Sequence, residues 1–459
     1  MNPLQAHLHI FQLEGYSPLR FFKWWLKHPF IFSTSSKKPL IYTFKVKLIL
    51  FVTFTLYLFL VLLPPFPYNL FFVFVFAIEP VFLLMVSLAI IKPYEITRRQ
   101  LTIWAVRRTI ISHKSLTVIG ITGSYGKTTT KDLLFEILKR YKTTLKTPES
   151  YNTIFGISKV IDFELTSKDK LFICEMGAYI RGEIRELTHM VPPHYALLTA
   201  IGSQHLERFK SIKNTTLAKF ELVDSVPVEN ALVNLDNPLI SKHIEQAKYF
   251  GIKTFSLSNS KADFYLTNYL LTPNGMSFTL KHFKQKYQFE THLFGTSNLQ
   301  DLVGAISLAL LLKVPAPVIK NAVASLRPSP HRLELSKIKR ATLIDNAYSS
   351  NEQGVINIIA DLSKLPGKKV IITPGIVELG AQSAAIHRRL GELIAPVFNT
   401  TILVGHSDRT KDLESGIKEK NRENKIQYLE NNDLLWPEID RLSETHDWIL
   451  IENDLPDNF

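Results

Sequence analysis

Apolar positions fall into two regimes along the chain. Leu48 to Leu63 is an unbroken run of apolar residues and Thr. Pro64 to Asn69 reads as a turn, and Leu70 to Ile91 is a second run interrupted only by Glu79-Pro80. Each run is near the ~20 residues a helix needs to cross a bilayer. They predict a transmembrane helical hairpin over 40–92, between a basic, aromatic segment (1–39) and a basic linker (93–114). Beyond 115, short apolar runs alternate with amphipathic stretches. Thr117 to Ile121, Leu171 to Met176, Tyr195 to Ala200 and Ala231 to Leu235 read as strands, and Lys127 to Tyr141 and Asn214 to Ser225 as helices. This alternation predicts a mostly parallel sheet covered by helices. Between 252 and 293, Met276 to Leu280 and Tyr287 to Leu293 alternate after the turn residues Pro273-Asn-Gly275, which predicts a small antiparallel insertion. Gln300 to Leu312 is an Ala- and Leu-rich helix. Pro328-Ser-Pro330 marks a boundary, after which strands recur at Ala341 to Asp345, Lys369 to Thr373, Thr401 to Val404 and Trp448 to Ile451. The predicted fold is α/β: a central domain (115–327) and a smaller Rossmann-like C-terminal domain (328–459), preceded by the membrane hairpin.

Charge and cysteine content sharpen this outline. The 459-residue chain carries 54 basic and 41 acidic residues, a net charge of +13. Much of the excess flanks the apolar hairpin, from Arg20 to Lys47 before it and from Lys92 to Arg108 after it, so a membrane surface explains it better than nucleic acid. Positive outer flanks place both ends in the cytoplasm, with the short turn outside. The expected location is therefore a membrane, as a two-pass protein with both ends in the cytoplasm. Phe21 to Lys27, with Trp24 and Trp25, reads as an interfacial segment. Glu79 within the second run is either a functional intramembrane carboxylate or a protonated side chain packed beside a proline kink. The hairpin either crosses fully or dips in without crossing. The single cysteine, Cys174, excludes an internal disulfide and reads as a small buried strand residue.

The chemistry is set by Gly120-Ile-Thr-Gly-Ser-Tyr-Gly-Lys-Thr-Thr129, a glycine-rich turn between a strand and a helix. Such a P-loop wraps a phosphate with backbone N–H groups at the positive end of the helix dipole. Lys127 can reach a terminal phosphate and Thr128 can hold Mg²⁺, with Gly123, Ser124, Gly126 and Thr129 completing the cradle. Glu175 ends a strand, His205 follows another strand end, and Lys219 lies on a predicted helix. Open α/β sheets put their sites at such carboxyl ends. Mg²⁺ prefers oxygen ligands, so a His and a Lys are odd companions for it. Singly, His205 reads as a loop histidine and Lys219 as a solvated helix lysine.

As an ordered set these segments resemble the Mur ligases, of the MurF type. The glycine spacing of residues 120–129 is similar to that family's ATP loop. Gly202-Ser-Gln-His-Leu-Glu207 with Ala218-Lys-Phe-Glu221, Glu175-Met-Gly-Ala178 with Gly182-Glu-Ile184, Asp345 to Asn351, and Pro374 to Gly380 with His387 resemble further family segments. The resemblance implies two Mg²⁺ ions held by Thr128, Glu175, His205 and a carbamylated Lys219, whose carbamate would supply an anionic oxygen. It implies that Lys127 contacts the β- and γ-phosphates, that Arg332 and Asp345 approach the nucleotide from the C-terminal domain, and that Asn298 lies near the adenine. The implied reaction is ATP-dependent ligation: a carboxylate is activated as an acyl phosphate and an amine attacks it. The implied partners are a muramoyl-peptide-type or lipid-linked acid and an amino acid or dipeptide, at a lipid bilayer beside other cell-wall enzymes. The sequence departs from the family at Ser297, Asp301, Asn346 and Ser349, at the tail Ile451 to Asp457, and in having the hairpin where the UDP-sugar domain is expected. A membrane-bound polyglutamate-type ligase, a non-catalytic nucleotide-binding scaffold, and a P-loop kinase or transporter ATPase are the competing readings.

Overall fold

Val118 to Thr122 are buried on both faces, as a strand between two helix layers must be. In a computed structural model they form β1 (Thr117–Thr122), inside a nine-stranded sheet. The structure describes residues 3–453 apart from 14, 29–39, 63–64, 66, 69, 72, 74–75, 77–79, 149–150, 203–205, 273–274, 329, 349–350, 378, 422 and 431–433. The strand order is β2 (Thr144–Lys146), β3 (Leu171–Glu175), β1, β4 (Tyr195–Leu198), β5 (Ala231–Asn234), β6 (Lys253–Ser256), β7 (Phe264–Thr272), β8 (Gly275–His282), β9 (Gln285–Thr291). β2 through β7 pair in parallel, and β8 and β9 add antiparallel. The expected antiparallel insertion is therefore an extension of the main sheet, joined to it through β6 and β7.

Alternate residues of β1 feed opposite cores. Val118 packs with Phe172, Cys174 and Ala196 on one face, while Ile119 and Ile121 pack with Ile173, Leu197 and the Thr296–Leu311 helix on the other. From β1 the chain moves out to β2 and back through β3 on one side, then crosses to β4 on the other. The order reverses at β1, which opens a crevice at the carboxyl ends of β1, β3 and β4.

A six-stranded sheet follows, ordered β10 (Glu334–Ile338), β11 (Ala341–Asn346), β15 (Trp448–Glu452), β12 (Lys369–Thr373), β13 (Thr400–Val404), β14 (Lys425–Leu429). Only the β10–β11 pair is antiparallel. The strands β2, β6, β7, β10 and β14 were not foreseen from the pattern. Of these, β2, β10 and β14 are largely half-exposed and lack a clean apolar alternation.

Two compact units divide the chain, residues 1–101 with 455–459, and residues 102–454. In the first, Phe11, Phe21, Val46, Ile49, Val81 and Leu84 form a core. A buried hydrogen bond of 2.8 Å joins Thr53 Oγ1 and Ser87 Oγ, and Lys45 pairs with Glu95 at 2.6 Å. Ser17 and Pro18 start the Pro18–Lys27 helix in the expected interfacial segment. Among the described residues, one helix is long and apolar enough to cross a membrane, Phe44–Leu62, with mean hydropathy 2.1 and 17% of its apolar window buried. Phe51, Phe54, Phe59 and Leu62 on it are exposed. The second expected crossing, Leu70 to Ile91, includes residues outside the described ones. Glu79 and most of its neighbours lie outside the described residues, and the helix that follows runs Val81–Ser112, through Pro93. The expected linker (93–114) is thus mostly helix. Its Ile103, Val106 and Ile110 are buried in the core of the nine-stranded sheet.

Candidate active site

The glycine-rich loop leaves β1 and enters the Lys127–Leu138 helix through Gly126, whose φ is +80°. A Cβ there would be strained and would sit 2.3 Å from Asp301 Oδ1. A Cβ on Gly123 would sit 2.0 Å from Thr199 Oγ1. The loop is clamped to the end of β4: Ser124 N–H donates to Ala200 O at 2.7 Å, and Ser124 Oγ accepts from Gly202 N–H at 3.0 Å. Lys127 Nζ folds back and donates to Gly123 O at 2.9 Å and Ser124 O at 3.2 Å. Burial holds its pKa below the ordinary lysine value and nearby Arg332 adds to this, while Glu175 opposes it.

Glu175, an expected metal ligand, is 1% exposed at the end of β3. Its Oε2 accepts from Thr128 Oγ1 at 3.0 Å and lies 3.3 Å from Lys131 Nζ, and its Oε1 accepts from Asn152 Nδ2 at 3.1 Å. Thr128 and Glu175, both expected ligands, therefore meet. Lys131 and Asn152 escaped the sequence reading, although Lys131 lies one helical turn past Lys127.

Lys219, read singly as solvated, is 3% exposed on the Ile212–Val223 helix. Its pKa is lowered to about 7, first by burial and then by the charge of Lys127; Glu183, Glu175 and Glu221 pull the other way. Its Nζ lies 5.7 Å from the Phe209 ring centre. Neighbouring Glu221 accepts from Gly182 N–H at 2.8 Å and Arg185 N–H at 3.0 Å, capping the helix Glu183–Met190. Lys127, Glu175 and Lys219 thus share one electrostatic neighbourhood, while His205 lies outside the described residues.

Asn298, expected near the adenine, is buried at the start of the Thr296–Leu311 helix and its Nδ2 donates to Phe294 O at 2.9 Å. One turn on, Asp301 abuts the loop at Gly126. Burial raises its pKa to about 7, against Thr130, Arg332 and Lys127, which lower it. Arg332 reaches across from the segment before β10, with Nη1 3.5 Å from Thr129 Oγ1 and its guanidinium 4.3 Å from the Tyr348 ring centre. Its neighbours His331 and Leu333 hold positive φ of +59° and +52°, costly for non-glycine residues. Asp345 pairs with His331 Nδ1 at 2.8 Å. Two cavities adjoin. One of about 560 Å³ is lined by Tyr125, Asn234, Asn237, Gln300, Asn357 and Arg389, and one of about 90 Å³ by Thr129, Asn298, Asp301, Arg332 and Glu452. Asn234 and Asn237 were missed, although Asn234-Leu-Asp-Asn237 sits at the carboxyl end of β5, where the topology directs ligands.

Two departures from the family pattern meet in space. Asn346 and Glu452 are register partners on β11 and β15, and Asn346 Nδ2 donates to the Glu452 carboxylate at 2.9 and 3.1 Å. His387 fixes the loop after β12: its Nδ1 lies 2.7 Å from Ser383 O and its Nε2 accepts from Ile376 N–H at 2.9 Å.

Residues 121–309 match the Mur ligase middle domain. Over these residues the chain is similar to the Mur ligases. A UDP-N-acetylmuramoyl-tripeptide–D-alanyl-D-alanine ligase of Buchnera aphidicola (subspecies Acyrthosiphon pisum) is 29% identical over 324 residues, 68% of this chain and 70% of the relative. The enzyme of that name from Escherichia coli is 28% identical over 308 residues, 66% and 67% of the two chains. The solved MurF ligase of Thermotoga maritima in complex with ADP shares the fold, with a TM-score of 0.69, 23% identity and coverage of 78% and 80%. Within the Mur ligases, the similarity is to the MurF type.

Proposed function

We propose that this chain is an ATP-dependent, ADP-forming carbon–nitrogen ligase of the MurF type, acting in peptidoglycan precursor synthesis. It would join a muramoyl-peptide carboxyl group to the amine of an amino acid or dipeptide. The observation that carries this reading is the convergence of Lys127, Glu175 and Lys219 at the topological reversal beside β1. Lys127, at the mouth of a loop that admits no side chain at 123 or 126, is suited to the transferring phosphate. Thr128 and Glu175 offer oxygen ligands of the kind Mg²⁺ takes. When bound, Mg²⁺ would supply charge neutralisation at the phosphates.

Lys219 fits carbamylation on chemical grounds. Only a neutral amine adds CO₂, and with its pKa lowered to about 7 a large share of this amine is neutral at pH 7. Addition forms an N–C bond, releases a proton and turns a cation repelled by Lys127 into an anion attracted to it. In the reaction, a carboxylate oxygen of the acid attacks the γ-phosphorus and the bond to the bridging oxygen breaks, releasing ADP. The amine then attacks the acyl carbon, loses a proton and expels phosphate. Arg332 and Asn298 would hold the nucleotide.

Phosphate release from ATP with UDP-muramoyl tripeptide and D-alanyl-D-alanine, measured on detergent-solubilised protein, tests the reading. Release that needs both substrates and disappears in Lys219→Ala supports it. ATP binding without release for this pair counts against this substrate choice, and glutamate polymerisation would indicate a polyglutamate-type ligase.

The N-terminal unit supports a tether to the inner face of the bacterial membrane. Exposed Phe51, Phe54, Phe59 and Leu62 suit lipid contact, and Lys45, Lys47, Arg98 and Arg99 suit anionic headgroups. A two-pass hairpin with a cytoplasmic catalytic part remains our reading. Protein extracted from membranes by carbonate at high pH, without detergent, would contradict it.

A further inference from the structure

The Thr296–Leu311 helix carries Asn298 and Asp301 to the nucleotide side, yet its N-cap is Gly295, which has no capping side chain. The missing acceptor comes from the other sheet region. Asp361, 1% exposed on the Glu352–Ser363 helix, accepts from Thr296 N–H at 2.6 Å and from Thr296 Oγ1 at 2.5 Å, one carboxylate oxygen each. One turn earlier on the same helix, Asn357 Nδ2 donates to Ser297 Oγ at 3.1 Å. Lys364 Nζ stands 3.9 Å from Asp361. Gly295 permits the approach, for it takes φ +89° and a Cβ there would be 3.0 Å from the Leu333 side chain. The far end of the capping helix, with Glu352, Gln353 and Asn357, lines the cavity of about 560 Å³.

We propose that Asp361 is a positioning residue for nucleotide binding: by capping the Thr296–Leu311 helix from the opposite sheet region, it couples the packing of the two regions to the placement of Asn298 and Asp301. The proposal rests on the ligase reading above. A helix whose first N–H groups are capped in trans is held at its first turn only while the two regions are together. The first turn carries Asn298, and the next turn, at Asp301, is the one that meets Gly126 of the phosphate loop. Asp361 itself touches neither nucleotide nor acid.

Calorimetric titration of the full-length protein with Mg·ATP tests this, beside steady-state KM and kcat. Asp361→Ala should weaken ATP binding roughly tenfold, the worth of a good N-cap. It should raise KM for ATP similarly and leave kcat at saturating ATP within about twofold, because saturating nucleotide offsets a loss of binding that leaves the reacting groups in place. Asp361→Asn, which keeps an acceptor oxygen, should recover most of the affinity. If Asp361→Ala does not fold, Thr296→Val, which deletes one of the two hydrogen bonds, should show a smaller rise in KM for ATP. Unchanged ATP affinity in Asp361→Ala or Thr296→Val, with only the melting temperature lowered, overturns the proposal and leaves the ligase reading standing. A wild-type chain that binds no ATP overturns both.

Discussion

Lys219 sits where a positive charge is costly, and the cost has a pH signature. With its pKa lowered from 10.5 to about 7, the unfolded chain holds a proton that the folded chain has lost throughout that window. Stability therefore rises with pH between about 7 and 10.5, and the penalty is at its full size below 7. In CO₂-free buffer, Lys219→Met should be the more stable chain at neutral pH, on the order of a few kcal/mol. That advantage should shrink as pH approaches 10, which denaturant titrations across the window would read. Gly126 bears a different constraint, geometric rather than electrostatic. Gly126→Ala should reduce ATP affinity by roughly tenfold or more, since a strained φ and the Asp301 carboxylate both oppose the Cβ. An alanine variant with wild-type ATP affinity would contradict that reading of the loop.

At the scale of elements, what could be read from sequence was what is written locally. The strand–glycine–lysine–helix unit announces itself because the turn, the charge and the start of the helix are contiguous. Lys131, Asn152, Asp301 and Asp361 were not legible in the same way. Each acts through a contact tens of residues or more away, and a buried Asp on a helix looks in sequence like a solvated one. The strands β2, β10 and β14 escaped for a related reason: they are short, half-exposed and placed by their neighbours rather than by their own alternation. His387 is a further case, since its loop depends on a neutral ring. Burial depresses its pKa below the ordinary 6.5, so the contribution is complete above about 6.5 and is lost as pH falls through that value toward the folded-state one. The melting temperature of the wild type should drop between pH 7 and pH 5. His387→Gln should flatten that slope, and parallel slopes would rule out the loop-fixing role.

For the whole molecule, the division between units falls within a helix rather than in a linker. The sequence placed the start of the catalytic part at 115, after a basic stretch, whereas Ile103, Val106 and Ile110 are core residues of the nine-stranded sheet. Burying each such side chain contributes ~1.5–3 kcal/mol. A chain begun at 115 should therefore be several kcal/mol less stable than one begun at 102, a comparison that denaturant midpoints would settle. The buried Cys174 has a practical consequence of its own. Burial pushes its thiol well above the usual range and no other sulfhydryl exists in the chain, so the native protein is chemically silent to maleimides. A single cysteine introduced near either end of the Phe44–Leu62 helix would then be the sole reactive handle, and the side of the membrane on which it labels in intact cells would read out the topology without a reporter fusion.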